Sequence, residues 1–268
     1  MRVSAPNHFP GARQAGFARV EFLSILFVVA TLTLLQIAGA TTSKGKSSVA
    51  VCFFNLRQLT QAWQMYADDN KGALAENFDS QRTWVNSIVD YSSPQSANTA
   101  NLTNTPFGRY VGRTDVYRCP ADESSVRSAS GLLPRNRSYS MNGAVGNPSS
   151  FWLPTPPYRS YTNLVNISAP PPSRLFIFLE EHPDSINDGM FAVQMPTSPG
   201  STTLIDFPAA YHDGAMSLSC ADGHVEMKRW LDPRTSPPVR LQPITLNIPQ
   251  PNNPDVLWLA ERTSSRLE

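Results

Sequence analysis

Charge is scarce in this chain. Asp, Glu, Lys and Arg make up 16% of its 268 residues, and the formal net charge is +1. A near-neutral protein offers no electrostatic case for binding nucleic acid, whose phosphates demand clustered cations. Acid is missing altogether from residues 1–16, MRVSAPNHFPGARQAG, which carry Arg2 and Arg13. Without those two arginines the net charge becomes −1. Histidine is limited to four residues, and no two stand at the i, i+4 spacing of helical zinc sites. No Gly-x-Ser-x-Gly surrounds Ser217 or Ser219, which removes the nucleophile-elbow hydrolases. Lys44-Gly45-Lys46-Ser47 ends like a phosphate loop, but Gly39 stands one residue too far ahead and no strand leads in. The stretch YADDNKG, residues 66–72, lacks the distal glutamate of a twelve-residue calcium loop and reads as a helix end. Cysteine is limited to three residues, an odd number. In an oxidising compartment one pair closes and one thiol stays free, and Cys52 with Cys119 is the pairing expected. Three buried unpaired thiols are the alternative.

What the chain does have is one long uncharged run. Residues 22–40, FLSILFVVATLTLLQIAGA, carry no charge, and a helix of about 20 apolar residues spans a bilayer. Glu21 stands immediately before it, and an acid at the edge of such a helix is costly enough to suggest a function. Arg2, Arg13 and Arg19 on the N-terminal side favour a cytoplasmic N-terminus, weakly opposed by Lys44 and Lys46. A signal peptide ending at Ala38-Gly39-Ala40 and a plain membrane anchor both accommodate the run. Neither explains Gly16 or Glu21.

The segment Gly16-Phe17-Ala18-Arg19-Val20-Glu21 resembles the processing site of type IV prepilins and type II secretion pseudopilins. The resemblance implies cleavage after Gly16 by a prepilin peptidase and methylation of the new N-terminus at Phe17. It also implies that Glu21 neutralises the terminal amine of a neighbouring subunit, since opposite charges buried together cost less than either alone. The family usually has Thr-Leu ahead of the Val-Glu, where this chain has Ala18-Arg19, and Arg19 must snorkel or find a partner.

Downstream, Val49, Cys52, Leu56, Leu59, Trp63 and Tyr66 fall at spacings of three and four, one apolar stripe of a helix. Asn70-Lys71-Gly72 supplies its stop. In pilins one long helix both spans the membrane and packs under a sheet. The middle of the chain is rich in the 24 prolines and reads as loops, with short strand candidates at 115–119 and 137–141. Residues 174–180, RLFIFLE, read as a buried strand, and 189–195 as another. Met216, Leu218 and Cys220 alternate with Ser217, Ser219 and Ala221, and Val225 and Met227 alternate beyond Asp222-Gly223. Asp-Gly between two alternating runs predicts a hairpin with a type I′ turn.

Nine residues separate His212 from Asp222-Gly223. This His-x9-Asp-Gly spacing, with Asn55-Leu56-Arg57-Gln58, Arg118-Cys119-Pro120 and residues 181–189, resembles a large group of bacterial prepilin-like proteins with similar N-termini. His212 reads as a residue pinning its loop to the hairpin, and Asp222 as a turn residue. No cofactor is fixed by the sequence; analogy with major pseudopilins offers calcium at Glu180, Glu181, Asp184 and Asp188, and a solvated acidic turn is the alternative.

The expected fold is therefore α+β and pilin-like, a long N-terminal transmembrane α-helix packed on a C-terminal antiparallel β-sheet with long loops. Its parts are a leader at 1–16, a transmembrane helix at 17–41, an amphipathic continuation at 42–71, and an extracytoplasmic β-rich domain at 72–268. The expected function is a non-enzymatic, pseudopilin-like structural subunit of a type II secretion or type IV pilus system. It would be single-pass in the inner membrane, with the membrane, prepilin peptidase and other pseudopilin subunits as partners and no nucleic acid. A non-polymerising, membrane-anchored extracytoplasmic binding protein is the alternative. A metal-dependent enzyme using His182, His212 and His224 is the third.

Overall fold

A computed structural model describes residues 19–77, 82–86, 88–146 and 157–267, with side chains over the same ranges except 19–22 and 32–47. The chain divides into two units, Met1–Gly45 and Lys46–Glu268. Helix α1 runs Arg19–Asp69.

The expectation of a transmembrane helix at 17–41 is corrected. Among the described residues no helix is long and apolar enough to cross a membrane. The single-pass, inner-membrane placement falls with it. Gly16 and Phe17 lie outside the described residues, as does the side chain of Glu21.

In the second unit the predicted stripe is the packing face. Cys52, Leu56, Leu59 and Trp63 are fully buried and Tyr66 nearly so, while Phe54 and Met65 on the opposite side are exposed. Three-four spacing places these residues on one side of a 3.6-residue helix. The helix stops where predicted. Lys71 and Gly72 take φ of +58° and +82°, and the Gly72 N–H donates to Ala67 O at 2.8 Å. Such a left-handed ending suits glycine, and an added Cβ at Gly72 would meet Asn163 Oδ1 at 2.6 Å.

Short helices α2 (Ala100–Thr103) and α3 (Gly108–Val111) follow, then a hairpin of β1 (Ser125–Ser128) and β2 (Gly131–Pro134). The main sheet has five strands: β3 (Tyr139–Asn142), β4 (Phe176–Glu180), β5 (Met190–Phe191), β7 (Ala215–Cys220) and β8 (Val225–Arg229). Their order is β5-β3-β4-β7-β8. The antiparallel expectation is corrected here, because β5 runs parallel to β3 and only the other pairs are antiparallel. The fold is mixed α/β. A second pair, β6 (Thr203–Leu204) with β9 (Ile248–Pro249), lies apart, and helix α4 (Pro254–Thr263) closes the chain.

Strand β7 departs from its alternating pattern. All six residues are buried, serines included. The Thr60 hydroxyl of α1 donates to Ser219 Oγ at 2.7 Å, so the serine face lies under the helix. The polar side of the pattern marks a helix–sheet contact there, and a central strand covered on both faces loses its exposed side. On that face Ser219 pairs with Phe178 and, two residues on, Phe178 gives way to Glu180. A carboxylate thereby points into the helix–sheet core.

Candidate functional site

The motif histidine is brought to the core by a turn. His212 and Ala215 exchange both backbone N–H···O bonds at 3.1 Å, and Asp213 and Gly214 between them have φ of +52° and +79°. Two consecutive left-handed residues define a type I′ turn. The type I′ turn predicted at Asp222-Gly223 is corrected: the I′ turn is at Asp213-Gly214, and Asp222-Gly223 lies in a three-residue loop. There the Cys220 N–H donates to His224 O at 2.9 Å, and only Gly223, at +92°, is left-handed. The second Asp-Gly was visible in the sequence but sat outside the alternating run. Asp222 Oδ1 accepts from the His224 backbone at 3.1 Å and pairs with its Nδ1 at 2.6 Å. Partial burial pushes the Asp222 carboxyl up, but these bonds outweigh it and hold the carboxyl below its usual range.

The I′ turn directs His212 inward. Its Nε2 lies 3.0 Å from Glu180 Oε1 and 3.7 Å from Cys119 Sγ. The other Glu180 oxygen accepts the Ser217 N–H at 2.7 Å. Burial pushes the Glu180 carboxyl up, and the His212 bond opposes that push. Cys119 is joined to Cys52 of α1 by a disulfide, with Cα atoms 5.4 Å apart. Cys220 is the free, buried thiol, pushed up to about 12 by burial. Below the helix, therefore, a disulfide, an imidazole and a carboxylate meet in one place.

The three histidines stay apart. His182 Nδ1 accepts the Asp184 N–H at 3.1 Å, so its Nε2 donates to Pro237 O at 2.8 Å. Burial lowers its pKa and keeps the ring neutral. His224 serves the hairpin loop. No group of metal-capable side chains among the described residues contains two histidines.

The four acids are separated too. Glu180 and Glu181 are consecutive and diverge across the sheet. Glu181 accepts the hydroxyls of Ser140 at 2.5 Å and Ser185 at 2.8 Å. Asp184 accepts Tyr91 Oη–H at 2.7 Å and the Arg240 N–H at 2.6 Å, and Asp188 accepts the Met190 N–H at 2.8 Å. They do not form one of the metal-capable groups. Sequence reasoning missed a different carboxylate, Asp206, which takes the Ala192 N–H at 2.6 Å and whose charge raises the Glu181 pKa. A cavity of about 470 Å³ lies beside His182, Tyr211, Pro233, Pro237 and Val239.

No protein family, curated protein or solved structure matches this chain.

Proposed function

We propose that this chain is a pseudopilin-like structural subunit of a type II secretion or type IV pilus system, without turnover. The observation that carries the reading is one chain holding both Gly16-Phe17 with Glu21 and the His212-to-Gly223 spacing. The geometry of the second motif supports a structural role. His212 pins a turn onto Glu180, and Asp222 with Gly223 shapes a loop, so both motif ends are spent on folding. In this reading a prepilin peptidase cuts after Gly16, Phe17 becomes the methylated N-terminus, and Glu21 pairs with the terminal amine of another pseudopilin subunit.

Mass spectrometry of the protein from its native host tests the cut. A methylated Phe17 start is expected. A start near Thr41, or an intact Met1, overturns the processing and leaves a non-polymerising binding protein, for which the 470 Å³ cavity is the favourable feature. Glu21→Ala should abolish incorporation into the assembly, measured by co-purification with its other components; undiminished incorporation removes Glu21 from the mechanism.

A further inference from the structure

Among the buried zinc-ligand-type side chains described above, four converge. One ligand atom from each of Cys52, Cys119, Glu180 and His212 can be chosen so that all lie within 4.8 Å of one another. The cysteines and Glu180 are fully buried, and His212 is 6% exposed. We propose that the reduced chain binds a zinc ion through Cys52, Cys119, His212 and Glu180, and that the disulfide is the oxidised, metal-free form of the same site. This inference does not depend on the role in assembly.

The distances suit the ion. Zinc–sulfur bonds near 2.3 Å and zinc–nitrogen and zinc–oxygen bonds near 2.0–2.2 Å, arranged tetrahedrally, set sulfur about 3.5 Å from nitrogen and nitrogen about 3.4 Å from oxygen. The observed Cys119 Sγ–His212 Nε2 and His212 Nε2–Glu180 Oε1 distances are 3.7 and 3.0 Å. Both need changes of only a few tenths of an ångström. The two sulfurs, once released, must open to about 3.8 Å, which side-chain rotation permits from Cα atoms 5.4 Å apart.

Supporting groups are already in place. The Ser217 N–H holds Glu180 Oε2 and leaves Oε1 facing the site. The Cys119 N–H donates to Ser138 Oγ at 3.1 Å, and the Ser138 hydroxyl donates to Asp122 Oδ2 at 2.7 Å. Such outer contacts orient ligands and tune affinity. Asp213, next to His212, is exposed, so the site lies one residue from the surface. Among the described residues one other metal-capable group, Cys220 with His224 and Glu226, offers three ligands, and Arg262 Nε lies 3.6 Å from its carboxylate, competing with a cation.

The chemistry balances with an external dithiol as reductant. The dithiol gives two electrons and two protons to the Cys52–Cys119 bond and itself closes to a disulfide. Zinc then displaces the two thiol protons and binds both thiolates, the neutral imidazole and the carboxylate, leaving one net negative charge at the site. An external disulfide reverses the step: it takes two electrons from the thiolates and two protons from water to become a dithiol, the Cys52–Cys119 bond re-forms, and the ion leaves.

Cobalt(II) is a spectroscopic probe for such a site. The full chain, reduced with a phosphine, should take up one equivalent, showing tetrahedral d–d bands and thiolate charge-transfer absorption that zinc erases. The oxidised chain should show neither. Cys220→Ser should bind like the unaltered protein. Cys119→Ser and His212→Gln should each weaken zinc binding by more than the roughly 10–100-fold typical of outer-contact changes. Bands that persist in both of those variants, or vanish in Cys220→Ser, overturn the proposal. So does a reduced chain that binds no cobalt. If reduction unfolds the chain, zinc should restore its circular dichroism, and failure to restore it overturns the proposal as well.

Discussion

At the residue scale the unusual groups are acids held away from water. Burial pushes the Asp206 carboxyl up to about 7, and Glu181 is raised by burial and then by the Asp206 charge. A carboxyl whose folded pKa exceeds its unfolded value, near 4, prefers the folded state when protonated. Its stabilisation is complete below pH 4 and is lost as pH rises through about 7. Thermal melts should therefore show a midpoint that falls between about pH 4 and 7 and levels off above, and Asp206→Asn should flatten that fall. A tenfold difference in proton affinity between the folded and unfolded chain is worth about 1.4 kcal/mol, so an unchanged slope in the variant would rule the assignment out. None of this was legible in the sequence, because a hydrophilic residue between Ile205 and Phe207 carries no sign of its depth. The placing of Asp222-Gly223 in the connection between two strands was legible, since Asp-Gly dipeptides announce backbone shape locally, but the bond of His212 to Glu180 of β4 was not.

At the element scale the three-four stripe of α1 was readable because a helix face depends on spacing alone. Leu59 is fully buried on that face, so Leu59→Ala should cost about 2–5 kcal/mol. Phe54→Ala, on the exposed side, should stay within about 0.5 kcal/mol. Chemical denaturation of the two variants checks the contrast, and equal losses would mean that the stripe is not the packing face. Strand β7 was readable as a strand from its alternation, but the burial of its polar side was not, because Ser219 meets Thr60, a partner 159 residues away. Helix α4 was missed although its start is conventional. Asn253 caps it by accepting the Asp255 and Val256 N–H groups, and Pro254 occupies the first turn. The surrounding prolines masked that signal. The strand read at 189–195 is present as β5 but confined to Met190–Phe191.

At the scale of the molecule, the second unit is tied together across long separations. The disulfide spans 67 residues and fastens α1 to the loop ahead of β1. In the chain-entropy account a loop of that length stabilises by about 4 kcal/mol. Cys52→Ser should lower the unfolding free energy by about that amount, measured by denaturant titration without metal; no change would mean that the bond does not form in solution. Three cysteines announce at most one pair, but parity does not say which two, and the neighbours of the bond were not legible at all. Glu180, His212 and Cys119 are brought together by sheet order and by a turn, and topology of that kind leaves no local trace in the chain.

The two edges of the five-stranded sheet carry a last consequence. On one side the boundary strand, β5, offers only Met190 and Phe191. On the other, β8 presents Glu226, Lys228 and Arg229. A truncated margin and a charged margin both discourage a foreign strand from annealing to the backbone. Copies of this unit are thereby steered away from cross-strand accretion, and any ordered association must use side-chain surfaces in place of a continuing hydrogen-bond ladder.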